Sequence, residues 1–380
     1  MNHKLIKKKL LYLRDSSLQK LQILFFLFLL FFSYSKLSAQ EDVKKTQINF
    51  FGHIEYDFDA LPTSNNSYFS LGEQDFFIVS KITQRISFLG ENVIRYDGKS
   101  PSYFIPSIER MQLKFDYFKN HSLVVGKMHT PVNYWNDVYH HGRFFFPTVD
   151  RPIAFSYLVP VHTLGLRLQG QNLGKIKFGY DLVAGNGISS TDFADSGVNT
   201  SAMAGVHIKP IDNFRFGISY YYDFIQGNVS GVHSGHATST HQAIAAKYKG
   251  NINFELFSVS ASYFSDKFEF LNESCLNKSG SDSLGIAMNM SNYTYIGYTI
   301  KDKITPFISY DFIDISQKDV HVGHLSRNKL IAGCRYSVNH LMNIKLHVGL
   351  LSSNHALFNS HPHNSTPNSY EFKIQLAYGF

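Results

Sequence analysis

The chain has 380 residues, 44% hydrophobic and 15% aromatic, with 34 Phe and 23 Tyr against a single Trp, and its formal net charge is +7. Seven of the 36 basic residues but only one of the 29 acidic ones fall in the first 39 positions, so the remainder is near neutral and lacks the concentrated basic surface that nucleic-acid binding needs. Two cysteines, Cys275 and Cys334, are too few for a disulfide-stapled scaffold and form either one bridge or two free thiols.

Lys4, Lys7, Lys8, Lys9, Arg14 and Lys20 precede an apolar run from Ile23 to Phe32 and a small-residue exit at Ser38 and Ala39. That order is the order of a secretory signal, whose apolar core is too short to remain as a spanning helix. Residues 1–39 are therefore expected to be a cleaved signal peptide, 40–45 a short leader, and 46–380 one domain, since no linker interrupts it. Nowhere in 46–380 is there the run of roughly 18 apolar residues that a spanning helix needs.

A period of two recurs instead, as in strands whose successive side chains face opposite ways. Ile48–Phe58 sets Ile48, Phe50, Ile54, Tyr56 and Phe58 on one face against His53, Glu55 and Asp57. Asp75–Ser80 and Ile86–Tyr96 follow, the latter with Glu91 and Arg95 on its polar parity. In Glu109–Tyr117, Met111, Leu113, Phe115 and Tyr117 oppose Arg110, Lys114 and Asp116. Further strands are expected at Ser122–Met128, His162–Gln169, Lys175–Ala184, Ser201–Lys209, Phe214–Phe224, His241–Tyr248, Ile252–Phe264, Asn292–Ile300, Ile304–Ile313, Lys329–Ser337 and Asn343–Leu351. Tyr370–Phe380, with Tyr370, Phe372, Ile374, Leu376, Tyr378 and Phe380 opposite Glu371, Lys373 and Gln375 and ending on an aromatic, brings the number to sixteen.

Short polar links near 83, 120, 172, 211, 250, 302 and 340 alternate with longer Gly, Ser, Asn and His-rich segments. A two-sheet sandwich would also alternate, but its strands are usually shorter than the ~9–11 residues of a tilted membrane strand. Tyr117, Tyr220, Tyr222, Phe224, Tyr310, Phe312 and Tyr378, near strand ends, suit interfacial girdles. The expected fold is all-β: a transmembrane antiparallel up-and-down barrel of about sixteen strands.

With that last strand, the chain resembles the outer-membrane β-barrel proteins of Gram-negative bacteria, and in strand number and loop order the porins among them. The resemblance implies residence in the outer membrane among lipid and lipopolysaccharide, recognition of the final strand by the barrel-assembly machinery, a monomer or homotrimer, and passive diffusion of small hydrophilic solutes. It also implies that the third outer loop, here 130–161, folds into the lumen and narrows it. Lys127, His140, His141, Arg143, Asp150 and Arg151 then become candidates for the constriction, unless the loop is a lid or plug that packs for stability. Its Trp135, four prolines and the run Phe144–Phe146 must in either case pack against something.

Inward parity makes Arg95, Arg110, Lys114 and Arg167 lumen charges; it also turns Lys329, Lys345, Lys373 and Glu255 inward, where bases outnumber acids and so many charges call for a wet lumen. Either that surplus favours anions, or the charges pair across the barrel. His233, His236, His241, His321, His324, His355, His361 and His363 lie at or near outer loops and open a rival reading as a metal-capturing surface, though no spacing matches a defined site. No cofactor is called for. An outer-membrane barrel enzyme is the other rival, but it lacks a motif: in Gly231–Gly235, reading GVHSG, His stands where a nucleophile elbow needs Ser.

Overall fold

A computed structural model describes residues 45–60, 65–96, 104–139, 142–188, 200–225, 250–354 and 366–380. Its strands are β1 (Lys45–Ala60), β2 (Asn65–Ser70), β3 (Glu73–Lys81), β4 (Ile86–Tyr96), β5 (Phe104–Phe118), β6 (His121–His129), β7 (His162–Leu173), β8 (Phe178–Asn186) and β9 (Thr200–Ile208). Then come β10 (Phe214–Ile225), β11 (Ile252–Phe264), β12 (Phe268–Ser281), β13 (Gly285–Tyr298), β14 (Ile304–Ile315), β15 (Leu325–Asn339), β16 (Met342–Asn354) and β17 (Thr366–Gly379). Each pairs antiparallel with its sequence neighbour, and β1 pairs with β17 through Ile54↔Leu376 and Phe58↔Phe372, which closes the sheet on itself.

β2 and β3 both pair with β1, β2 along its later half and β3 along its earlier half, so together they make one stave and the barrel has sixteen. The break between them falls at Leu71 and Gly72. Gly72 has φ +56°, and a Cβ there would sit 2.2 Å from the His53 ring, so the kink needs glycine.

Closure leaves no open edge, and alternation sends apolar side chains outward. Met111, Leu113, Leu166, Leu182, Ile296, Ile308, Leu346 and Val348 are all exposed on that outer surface. At the end of the barrel that carries the short turns, Phe50 packs on Phe76 (5.0 Å), Tyr378 (6.1 Å) and Phe380 (5.3 Å), an aromatic group across the seam. Among the expected girdle residues Tyr117, Tyr220, Tyr222 and Tyr310 are exposed.

Most expected strands overlap observed ones; Lys175–Ala184 begins in the turn ahead of β8, β2 was not expected, and the larger departures lie between 226 and 291. The link expected near 250 is not a turn at the short-turn end: Ile225 pairs with Ile252, so β11 starts at the long-loop end and runs opposite to the expected direction. The turn is at residues 265–267, followed by β12, which was not anticipated. On β12 the outward parity carries Asn272, Ser274 and Lys278, while Leu271 and Cys275 point inward and are buried. The apolar and polar sides are thus mixed, which hides the strand from a hydrophobicity pattern. These outward groups are paired with β13: the Asn272 amide donates to Thr294, and Ser274 accepts from the Asn292 amide of β13, each at 2.8 Å. The expected strand His241–Tyr248 lies outside the described residues.

Glu255, placed by parity on the inner face, projects outward and pairs with Lys278 at 2.8 Å. Both cysteines are free thiols.

Candidate functional site

The segment 130–161 joins β6 to β7. Its neck is closed by backbone pairing, Thr130 N to Val161 O at 3.0 Å, and by the fully buried Asn136, whose amide donates to the carbonyls of Thr130 (2.6 Å) and Val161 (3.1 Å). A single π-helical turn, Trp135–Tyr139, follows. There the Trp135 N–H donates to Glu273 of β12 at 2.8 Å, and Asp137 meets Arg167 of β7 (3.3 Å) and Arg215 of β10 (2.8 Å).

Beyond the turn the Gly142 N–H donates to Asp75 of β3 at 3.1 Å, and Arg151 forks onto both oxygens of Glu73 at 3.1 and 2.9 Å, with Arg143 3.8 Å from the same carboxylate. Such a two-point guanidinium contact fixes orientation as well as charge. Lys345 of β16, fully buried, donates to the carbonyls of Arg143 and Thr148 (the latter at 3.3 Å). Asp150 then meets Lys329 of β15 at 2.6 Å and Lys373 of β17 at 3.0 Å. On the way back the Ile153 N–H donates to Asp311 of β14 at 2.6 Å, ahead of one helical turn, Ala154–Tyr157.

Two apolar groups fill the space between these polar contacts. Trp135, Phe146 and Phe155 of the loop pack with Leu271, Tyr293, Tyr295, Phe307 and Ile331 of the wall. Ile153, Leu158 and Val159 pack with Val183, Tyr221, Phe254, Ile313 and others. The lumen, expected to be wet on account of its charges, is dry where these groups lie.

Of the expected constriction residues, Arg143, Asp150 and Arg151 come together on one stretch of the loop, facing Glu73, Lys329, Lys345 and Lys373. Lys127 does not join them: it is buried on β6 and donates to the Ile108 carbonyl of β5 at 2.6 Å. His140 and His141 lie outside the described residues. Glu73 went unnoticed because the strand was expected to start at Asp75; extending the same parity by two residues would have found it.

Each expected lumen base has a carboxylate beside it. Arg95 approaches Glu109 at 3.9 Å, Arg110 binds Glu91, Lys114 meets Asp116 at 3.0 Å, and Arg167 lies 2.8 Å from Asp181. These four do not stand as uncompensated positive charge.

Asp150, His347 and Glu371 offer three potential metal ligands within 4.8 Å of one another. The Lys329 ammonium lies 2.6 Å from Asp150 and 2.7 Å from Glu371, however, so an internal cation already neutralises this donor set. Of the loop histidines, His321 is buried with its ring edge-on to Phe254, and His324 hydrogen-bonds the Ile315 carbonyl; this pair does not form an exposed metal grip. The remaining six, His233, His236, His241, His355, His361 and His363, lie outside the described residues.

No protein-family model and no curated relative matches the sequence. Solved structures do. An anion-selective porin from Comamonas acidovorans superposes with a TM-score of 0.62 at 8% identity, over 88% of this chain and all of that one. OmpT, an outer-membrane protein of Vibrio cholerae, gives 0.60 at 12% identity over 90% and 100%. The outer-membrane channel DcaP of Acinetobacter baumannii gives 0.57 at 9% identity over 90% and 99%. The chain has the fold of the porin-like outer-membrane barrels. The likeness spans the whole described barrel, while identities near one residue in ten carry no residue role across, so the site of this porin-like barrel rests on its own geometry.

Electrostatics set how the loop responds to acid. Burial opposes ionisation of Asp150, but Lys329, Lys373 and His347 hold its carboxyl well below the usual range. Burial likewise opposes, and Arg215 and Arg167 override, at Asp137, which is also lowered. Carboxyls depressed by folding stabilise the folded state fully above the free value of ~3.9 and lose that contribution as pH falls through the folded value. The conductance difference between the wild type and Asp150→Asn is therefore expected to stay constant from pH 7 to pH 5 and to shrink only below about pH 4. A difference that fades by pH 5.5 in bilayer recordings would contradict the arrangement.

Proposed function

We propose that the chain is an outer-membrane channel through which small hydrophilic solutes diffuse passively, with the loop 130–161 as its constriction. One observation carries the reading: Asp150 of that loop, rooted between β6 and β7, is bound by Lys329 and Lys373 on β15 and β17, so solutes crossing the barrel must pass the chain lying between. The outward apolar surface suits lipid and the inward charges suit water. Export by the signal at 1–39, assembly through the C-terminal strand, contact with lipopolysaccharide and a homotrimeric state belong to the same reading. The last is supported by the trimer form known for OmpT of Vibrio cholerae. Selection would be by size first, with mild anion preference resting on bases other than Arg95, Arg110, Lys114 and Arg167. No chemistry is assigned to the chain.

A second reading is favoured by the two apolar groups around Trp135 and Leu158, which are packed as a small core: the loop is a plug, and the resting barrel is closed. Purified protein inserted into planar bilayers separates the two. Ohmic steps support the channel, and protein that inserts silently while its loop is intact sinks it.

A further inference from the structure

Beneath the π-helical turn, at the short-turn end, lies a cavity of about 350 Å³, within the size range of small-molecule sites. Its roof is Tyr134, which stacks on Phe264 at 6.1 Å with the ring planes 10° apart; Phe214 adds a further apolar face. Three cations border it. Arg215 is occupied, bound to Asp137 at 2.8 Å and seated 5.3 Å over the Tyr134 ring. Lys177 is occupied too, 2.7 Å from the exposed Asp212.

Lys209 is different. Its backbone N–H is bonded to Ile176, but its half-buried ammonium has no carboxylate or carbonyl partner among the described residues. Burial, Arg215 and Lys177 all press it toward deprotonation, with only Asp137 opposing, so a bound anion would relieve it.

We propose that this cavity binds a small aryl monoanion, its ring against Tyr134, Phe264 and Phe214 and its charge on Lys209. One unpaired cation among flat apolar walls selects one negative charge and a flat apolar body. A polar sugar would leave the aromatic faces unused, and an organic cation would meet the one ammonium that Asp137 and Asp212 do not pair. The site does not depend on whether the barrel conducts.

Benzenesulfonate, charged at every working pH, is a suitable probe for titration calorimetry on the full barrel in detergent. Saturable binding is expected, with methanesulfonate, the same head without the ring, at least tenfold weaker and benzylammonium not bound. Lys209→Met is expected to weaken benzenesulfonate at least tenfold, the cost of a hydrogen bond to a charged group. Lys209→Arg should keep binding within about threefold, and Lys114→Met, on another part of the wall, should leave it unchanged. Absence of saturable binding, or equal affinity in Lys209→Met, overturns the proposal. Equal affinity for methanesulfonate overturns its aromatic part. A barrel that binds the probe yet inserts silently would defeat the channel reading and leave this one standing.

Discussion

Replacing Asp150 with alanine is expected to raise single-channel conductance severalfold while the barrel wall stays folded. On the far wall, beside the Lys345 contacts to the Arg143 and Thr148 carbonyls, this carboxylate lies between two ammonium groups and is 22% exposed. Deleting one partner of a buried ion cluster leaves the others charged and unsolvated, a loss of roughly 3–5 kcal/mol; the partial exposure here argues for the lower end, about 3 kcal/mol. Lys329 keeps Glu371 at 2.7 Å and Lys373 keeps Asp57 at 3.6 Å, so the wall itself loses little. The penalty falls on the loop, whose docked state becomes roughly a hundredfold less favoured.

Asp150→Asn should give a smaller rise, because the amide still accepts hydrogen bonds but carries no charge. Under the plug reading the same change turns silent insertions into steps. Under the channel reading it enlarges steps already present. Conductance in both variants indistinguishable from wild type would show that the loop does not narrow the path.

The parts of this architecture that follow from local order were visible in the residues. Tyr370–Phe380 alternates at all but the small, buried Ala377 because β17 is apolar on its outer side and meets polar groups on its inner side, and it pairs with β1 over ten residue pairs. β12 was not visible, because Leu271 faces the loop core and Asn272 and Ser274 are satisfied by β13: in both cases a neighbour, not the sequence position, decides what the side chain should be. The composition of the loop announced that it must pack, but its partners are far away in the chain. Asp150 lies 179 residues from Lys329 and 223 from Lys373, and their meeting depends on the closure of the ring, which no periodicity encodes. Parity did place Lys329, Lys345 and Lys373 inside. It could not say that three inward bases of different strands converge on one loop.

The single tryptophan gives the second large expected effect. Trp135 is fully buried, with Tyr139 and Phe146 each at 5.2 Å and Tyr293 at 5.5 Å, all edge to face. Trp135→Ala removes the centre of that group at a cost of about 3–5 kcal/mol. The Asp137 contacts to Arg167 and Arg215 lie only two residues away, so the first limb of the loop should loosen with it. Its indole N–H, by contrast, has no acceptor among the described residues, so Trp135→Phe forfeits no hydrogen bond and relieves one buried polar group. That variant should cost less than half as much. Trypsin reads the difference directly at Arg143, which is tied down by Glu73, Val149 and the packing on Phe146. Cleavage at this site is expected to accelerate about a hundredfold in Trp135→Ala for a 3 kcal/mol loss, when opening is fast relative to cutting. In Trp135→Phe it should change by less than about tenfold, and the strands should resist in both. Equal protection of Arg143 in wild type and Trp135→Ala would mean that the loop is held by its ion pairs alone and that the aromatic core around Trp135 contributes nothing to its position.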